Sequence, residues 1–127
     1  MSHENAERLK AMYEAFSRAD FDAVVELAHP EVEFIRPGQG TVRGRDALRA
    51  WLEPDALEAH TVEPSDFRIS GRNVLVRQHH RARGAGSGIE VEAVSWVVWT
   101  FDDDGLVRRA EAFLVEDEAL EAEGLRE

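Results

Sequence analysis

The sequence predicts an α+β domain with helices first and a curved, mainly antiparallel sheet after them, and three observations carry that prediction. Apolar residues in the first part of the chain recur with a period near 3.6, whereas those from about residue 60 onward alternate with a period of 2. The clusters SGRN, GAGSG and DDDG then cut the second part into runs of strand length. A sheet that follows its helices can bury an apolar face only by wrapping around them. With 127 residues the chain has the length of a single domain, 1–127, with enough apolar content for a core.

The first helix is carried by Leu9, Met12, Tyr13 and Phe16, which fall at i, i+3, i+4 and i+7 and so share one face; it ends near RAD. Asp20 can cap a second, shorter helix that buries Phe21, Val24, Val25 and Ala28 and stops at HP, because a residue before proline is driven out of the helical region. EVEFIRPG is a short alternating strand closed by Pro37 and Gly38. GRDALRAWLE forms a third helix with Leu48, Trp51 and Leu52 on its buried side. Strands are expected at His60 to Ser70, Asn73 to Arg83, Gly88 to Phe101 and Leu106 to Val115, joined as successive antiparallel hairpins. The turn DDDG puts Gly105 at a left-handed position and lacks the spaced ligands and distal glutamate of a calcium loop. EDEALEAEG closes the chain as a short helix with a solvated acidic face, capped near Asp117 and ended by Gly124.

Composition narrows the partners. A formal charge of -11 argues against nucleic acid and anionic membrane surfaces, since binding phosphates needs a basic face. No cysteine is present, which removes disulfides, thiolate zinc sites and thiol nucleophiles. The N-terminus MSHENAERLK has no apolar leader and no run approaches a membrane span, so a cytoplasmic location is the expectation.

Strand alternation assigns faces. In the fourth run Ile89, Val91, Ala93, Ser95, Val97, Trp99 and Phe101 oppose Glu90, Glu92, Val94, Trp96, Val98 and Thr100. In the preceding run Val74, Val76, Gln78, His80 and Ala82 oppose Leu75, Arg77, His79, Arg81 and Arg83. In the last, Arg108, Ala110, Ala112 and Leu114 oppose Val107, Arg109, Glu111 and Phe113. Pairing the arginines with the glutamates across strands on a solvated convex face leaves the apolar set inward, together with Gln78, His80, Ser95 and Arg108. Adjacent strand residues point oppositely, so His79 and His80 cannot share one metal ion; His79 belongs with the outer charges and His80 faces inward. No metal or other cofactor is expected. Val94, Trp96, Val98, Leu75 and Phe113 leave an apolar strip on the convex face, which predicts a homodimer through that face.

YEAFSRADFDAVVELAHPEVEFIRPG, GRDALRAWL, GAGSGIEVEAVSWVVWTFDDDGLVRRAEAFLV and the closing EAL, in that order, resemble the nuclear transport factor 2-like superfamily and, within it, the small bacterial SnoaL-like proteins. The resemblance spans nearly the whole chain. It implies a cone-shaped α+β barrel, with the helices closing the concave face of a bent sheet into a pocket for a small molecule. It also sets Val97 and Trp99 inward. Superfamily members include isomerases, dehydratases, cyclases, epoxide hydrolases and proteins without chemistry, so fold does not choose function.

His80 is the candidate general acid or base, because imidazole titrates near neutrality. Gln78 and Ser95 can supply ligand hydrogen bonds; Tyr13, Phe34, Trp51, Val97 and Trp99 form core or pocket wall. The ketosteroid isomerases of the superfamily use an aspartate base with a tyrosine and a protonated aspartic acid as oxyanion donors. By the resemblance those roles fall on Arg36, Met12 and Val97, and none of the three can perform them. Tyr13 is adjacent to the tyrosine position but turned by about 100° on the helix. Arg36 instead brings a fixed positive charge for a ligand oxygen or an internal acid, and an inward Arg108 would strengthen an anion site. The epoxide hydrolases hold a water with an Asp, Arg, Asp set; Arg109 and Glu111 have the spacing but face outward. The leading reading is a pocket for a small, apolar carbonyl or anionic compound, with cofactor-free isomerisation, dehydration or cyclisation as the enzyme class. The alternatives are a non-catalytic ligand-binding module, or a structural dimer whose cone is filled by Trp51, Trp99 and Phe34.

Overall fold

A computed structural model describes residues 2–36, 38, 40–52, 57–84 and 87–123, without the side chains of residues 2, 3, 51, 57–60, 122 and 123. Its order is α1 (Ser2–Ser17), α2 (Phe21–Glu26), β1 (Ala28–Arg36), β2 (Gly40–Arg43), α3 (Arg45–Leu52), β3 (Leu57–Ser70), β4 (Asn73–Gly84), β5 (Glu90–Phe101), β6 (Val107–Phe113) and α4 (Glu116–Glu123). The strands form one sheet in the order β2-β1-β6-β5-β4-β3, curled rather than closed, because β2 and β3 stand at its two ends. Every neighbouring pair is antiparallel except β1 with β6. The helices-first α+β order is the one the two sequence periods predict.

Leu9, Met12 and Tyr13 of α1 enter the core beside Val24 of α2 and Leu48 and Leu52 of α3. They meet Val74 and Val76 of β4, Val97, Trp99 and Phe101 of β5, and Val107 and Ala110 of β6. Leu9, Val74, Val76, Val97 and Val107 are fully enclosed, each contributing about 1.5–3 kcal/mol of apolar burial. Asp20 caps α2 as expected, its carboxylate accepting from the Ala23 N–H at 3.3 Å. The second helix stops earlier than expected, however. Glu26 ends it, and His29 and Pro30 already belong to β1. β2 is an unexpected element, a four-residue strand with only Val42 buried and too short to show an alternation.

One irregularity redirects an expected inward residue. Thr100 pairs with Arg109, but Phe101 pairs with Val107, so Arg108 is an extra residue bulged out of β6. Strict alternation had set Arg108 with Ala110 and Val107 outside; the bulge puts both Val107 and Ala110 in the core. The Arg108 guanidinium turns to β1 and donates to the Glu31 carbonyl at 2.5 Å.

The convex apolar strip is also partly covered by the chain itself. Leu75, Val98 and Ala119 form a second buried cluster, with Trp96, Phe113 and Leu120 packed against it. Of the Val94, Trp96, Val98 and Phe113 face expected to meet a second copy, α4 therefore covers the last three. The tail is not merely a solvated helix: its acidic residues Glu116, Asp117 and Glu118 are exposed while Ala119 is sealed against the sheet.

The β5–β6 turn closes as predicted, with Gly105 at φ 80° and the Asp102 carboxylate accepting from the Asp104 and Leu106 N–H groups at 2.9 and 3.0 Å. A Cβ at 105 would also come within 2.5 Å of the Arg8 guanidinium. Gly105→Ala should therefore cost about 1–3 kcal/mol through left-handed backbone strain. It should lower the urea midpoint with an unchanged slope; an unmoved midpoint would show that the turn relaxes to another conformation.

Candidate functional site

The hairpin closed at Gly84 and Ile89 sets the register of β4 on β5: Val74 opposite Trp99, Val76 opposite Val97, Gln78 opposite Ser95 and His80 opposite Ala93. These residues share the concave face. The rows nearest α1 are packed shut. Farther out the face becomes polar at Gln78, Ser95 and His80, and then apolar and open at Ala93, Val91 and Ile89.

A hydrogen-bond relay crosses this boundary. The Trp99 indole Nε1 donates to the Tyr13 hydroxyl at 3.2 Å, and Tyr13 donates to Gln78 Oε1 at 2.8 Å. Gln78 Nε2 donates to Ser95 Oγ over a long 3.5 Å, and Ser95 Oγ lies 3.0 Å from His80 Nε2. Tyr13, Gln78, Ser95 and Trp99 are all buried, whereas His80 is half-buried at the outer end. Tyr13 also meets Trp99 edge-on, the ring centroids 5.9 Å apart. Desolvation of Tyr13 raises its pKa well above the ordinary phenol value, and the Trp99 hydrogen bond offsets only part of that.

The remaining candidates take separate places. Phe34 of β1 meets Trp99 edge-on at 6.1 Å and is half-buried; Val97 is sealed in the core. The side chain of Trp51 lies outside the described residues. Arg36 shares the side of Phe34, one residue past the Ile35 and Glu111 pair, and is half-buried. By the strand register it is level with Ala112, Val97 and Val76, so its backbone lies roughly 14 Å across the sheet and roughly 13 Å along the strands from that of His80 at the usual strand dimensions. Arg108 binds the β1 backbone, away from the relay. His79 points to the other face, where Nε2 contacts Glu92 Oε1 at 2.5 Å, so the two adjacent histidines do diverge. Arg109 and Glu111 pair with each other at 3.2 Å on that outer face.

Outside the relay the inward positions stay apolar. Ile89, Val91 and Leu114 are 65%, 50% and 65% exposed. An open groove of about 580 Å³ wraps the end of the β4–β5 ribbon, lined by Arg81, Ala82, Arg83, Glu90, Val91 and Glu92. Its Ala82 and Val91 are the next inward pair beyond His80 and Ala93. Strand alternation set Gln78, His80, Ser95 and Trp99 on one face and the helical stripe carried Tyr13, but neither joined Tyr13 to Trp99 and Gln78; the hairpin about GAGSG gives only the pairing of Gln78 with Ser95.

The family model for the SnoaL-like domain matches residues 9–110. No curated protein matches the sequence. Among solved structures, an NTF2-like protein of unknown function from Burkholderia pseudomallei superposes with a TM-score of 0.80 at 24% identity, covering 97% of this chain and 98% of its own. The epoxide hydrolase/cyclase-like enzyme SalBIII, of pyran ring formation in the polyether salinomycin, gives 0.81 at 19% identity over 92% and 96%. A putative SnoaL-like polyketide cyclase from Jannaschia sp. gives 0.80 at 17% over 100% and 96%. At these identities the likeness is one of fold.

Tyr13 is the sole tyrosine, so phenolate absorbance reports it alone. Its raised pKa means that the folded state holds the proton longer than the unfolded state. Stability is therefore unaffected below about pH 10 and falls as pH rises above it. Absorbance should show no titration near pH 10 while the protein is folded, with phenolate appearing together with unfolding. A reversible phenolate step in folded protein near pH 10 would contradict the buried relay.

Proposed function

Because the chain belongs to the SnoaL-like domain family, we propose that the open end of its concave face binds a small, mainly apolar organic molecule bearing a carbonyl or enolate oxygen, and that His80 moves a proton at that oxygen or beside it without a cofactor. The observation that carries this reading is the position of His80. Its ring is anchored from inside by Ser95, at the line where a buried polar relay meets an apolar, solvent-open surface. An imidazole so placed combines a fixed orientation with access, the two requirements of a proton-transfer group. The solved relatives with cyclase names support cyclisation, and isomerisation and dehydration are the other reactions that a single proton carrier of this kind could serve.

Other chemistries of the fold fit less well. The ketosteroid isomerase roles fall on Arg36, Met12 and Val97, a cation and two apolar side chains, the last two buried. The epoxide-opening set finds only Arg109 and Glu111, on the convex face. Arg36 adds a positive charge on the Phe34 side of the curled face, at a distance from His80.

A second reading, a binding module without turnover, is favoured by one observation. Trp99, Tyr13, Gln78 and Ser95 are all uncharged at neutral pH, so the relay supplies no second acid or base of its own.

Both readings are tested by screening aromatic ketones and 1,3-dicarbonyl compounds for a rise in melting temperature, then following deuterium exchange beside the carbonyl by NMR. A ligand that stabilises the protein and exchanges about 10²–10⁴ faster with wild type than with His80→Gln supports catalysis. Stabilisation without exchange supports the binding module. Exchange equal in both proteins, at equal melting temperatures, would exclude His80 as the proton carrier.

A further inference from the structure

We infer that the buried relay fixes the tautomer of His80: in the neutral ring the proton sits on Nδ1, and Nε2 accepts from the Ser95 hydroxyl. Each proton along the relay has one place to go. An indole nitrogen can only donate, so at the Trp99 contact the Tyr13 oxygen is the acceptor. Tyr13 has a single proton left to give, and it goes to Gln78 at 2.8 Å. The atom of Gln78 facing Tyr13 must therefore be the carbonyl oxygen, which turns the amide NH2 toward Ser95. Ser95 Oγ accepts there, and its own proton needs an acceptor.

Among the described residues the hydrogen bonds of Ser95 run to Gln78 and His80 alone. If His80 carried its proton on Nε2, Ser95 would accept twice and the proton of a buried hydroxyl would be left without a protein acceptor. If Nε2 is bare, every proton from Trp99 to Ser95 is matched. The long Gln78 to Ser95 contact is the weakest link, yet its direction is set from both sides: Tyr13 orients the amide, and Nε2 takes the serine proton.

Ser95 and Gln78 thereby become positioning residues for His80. The consequence for chemistry, which rests on the functional reading above, is that the Nε2 lone pair of neutral His80 is engaged by Ser95, and this nitrogen can serve as a base only after the Ser95 hydroxyl turns away.

The test is a long-range ¹H–¹⁵N spectrum of histidine-labelled full-length protein at about pH 9, where an ordinary imidazole, with a pKa of about 6.5, is neutral. The signals of His80 are identified by their loss in His80→Gln. Expected in wild type are Nε2 in the unprotonated range and Nδ1 in the protonated range. Ser95→Ala should shift the balance toward protonated Nε2, and Ser95→Thr, which keeps the hydroxyl, should restore the wild-type pattern. Protonated Nε2 in wild type overturns the inference. An unchanged pattern in Ser95→Ala with a native melting profile also overturns it, and if that variant fails to fold, the wild-type spectrum alone decides. No ligand enters this measurement. The expected spectra together with absent carbonyl exchange would leave the tautomer standing and sink only the catalytic reading.

Discussion

The hydrogen bond from Tyr13 to Gln78 joins the first helix to β4, and the polar part of the concave face is arranged around it. A phenol and an amide taken out of water must satisfy each other, because either one left unpaired costs about 1–3 kcal/mol. That requirement fixes how α1 sits on β4 more narrowly than apolar contact does, since apolar contact is tolerant of sliding and a buried hydrogen bond is not. Trp99 behind Tyr13 and Ser95 beyond Gln78 extend the same constraint across β5 to His80. An imidazole at the edge of a pocket would otherwise be free to turn; here it is held by a series of groups rooted in the core.

Along the concave face a sealed core gives way to an open candidate site. The rows of Val74, Val76, Val97 and Trp99 are sealed by helix side chains and supply stability. The outer rows are left uncovered by the described helices and supply access. Between them stand the only polar inward positions of β4 and β5, which can be buried because each is matched to a neighbour. On the convex side α4 covers Leu75 and Val98, so the two faces of the central strands are both used, one by the N-terminal helices and the other by the C-terminal one.

Much of this was legible in the sequence, for identifiable reasons. Alternation along β4 and β5 is unbroken from Asn73 to Arg83 and from Glu90 to Thr100, so the faces of His79, His80, Gln78 and Ser95 followed from counting. The same counting failed at Arg108, where a bulge adds one residue and reverses the parity of everything before it. Nothing in LVRRAEAF marks that position. The strand at Gly40–Arg43 escaped because it buries a single residue. The tail was read by its charge, while Ala119 and Leu120 on its other side are what pack against the sheet. The connection through Tyr13 was out of reach for a different reason: it joins residues 65 positions apart in sequence, and only the packing of α1 brings them together.

The account's central claim is that the relay acts as one energetic unit. A double-mutant cycle on unfolding free energy with Tyr13→Phe and Ser95→Ala tests it most directly, because these two side chains share Gln78 without bonding to each other. A coupling energy of about 0.5–3 kcal/mol is predicted, with the double mutant differing from the sum of the single changes. Additivity within about 0.3–0.5 kcal/mol would contradict the account and reduce the relay to independent contacts.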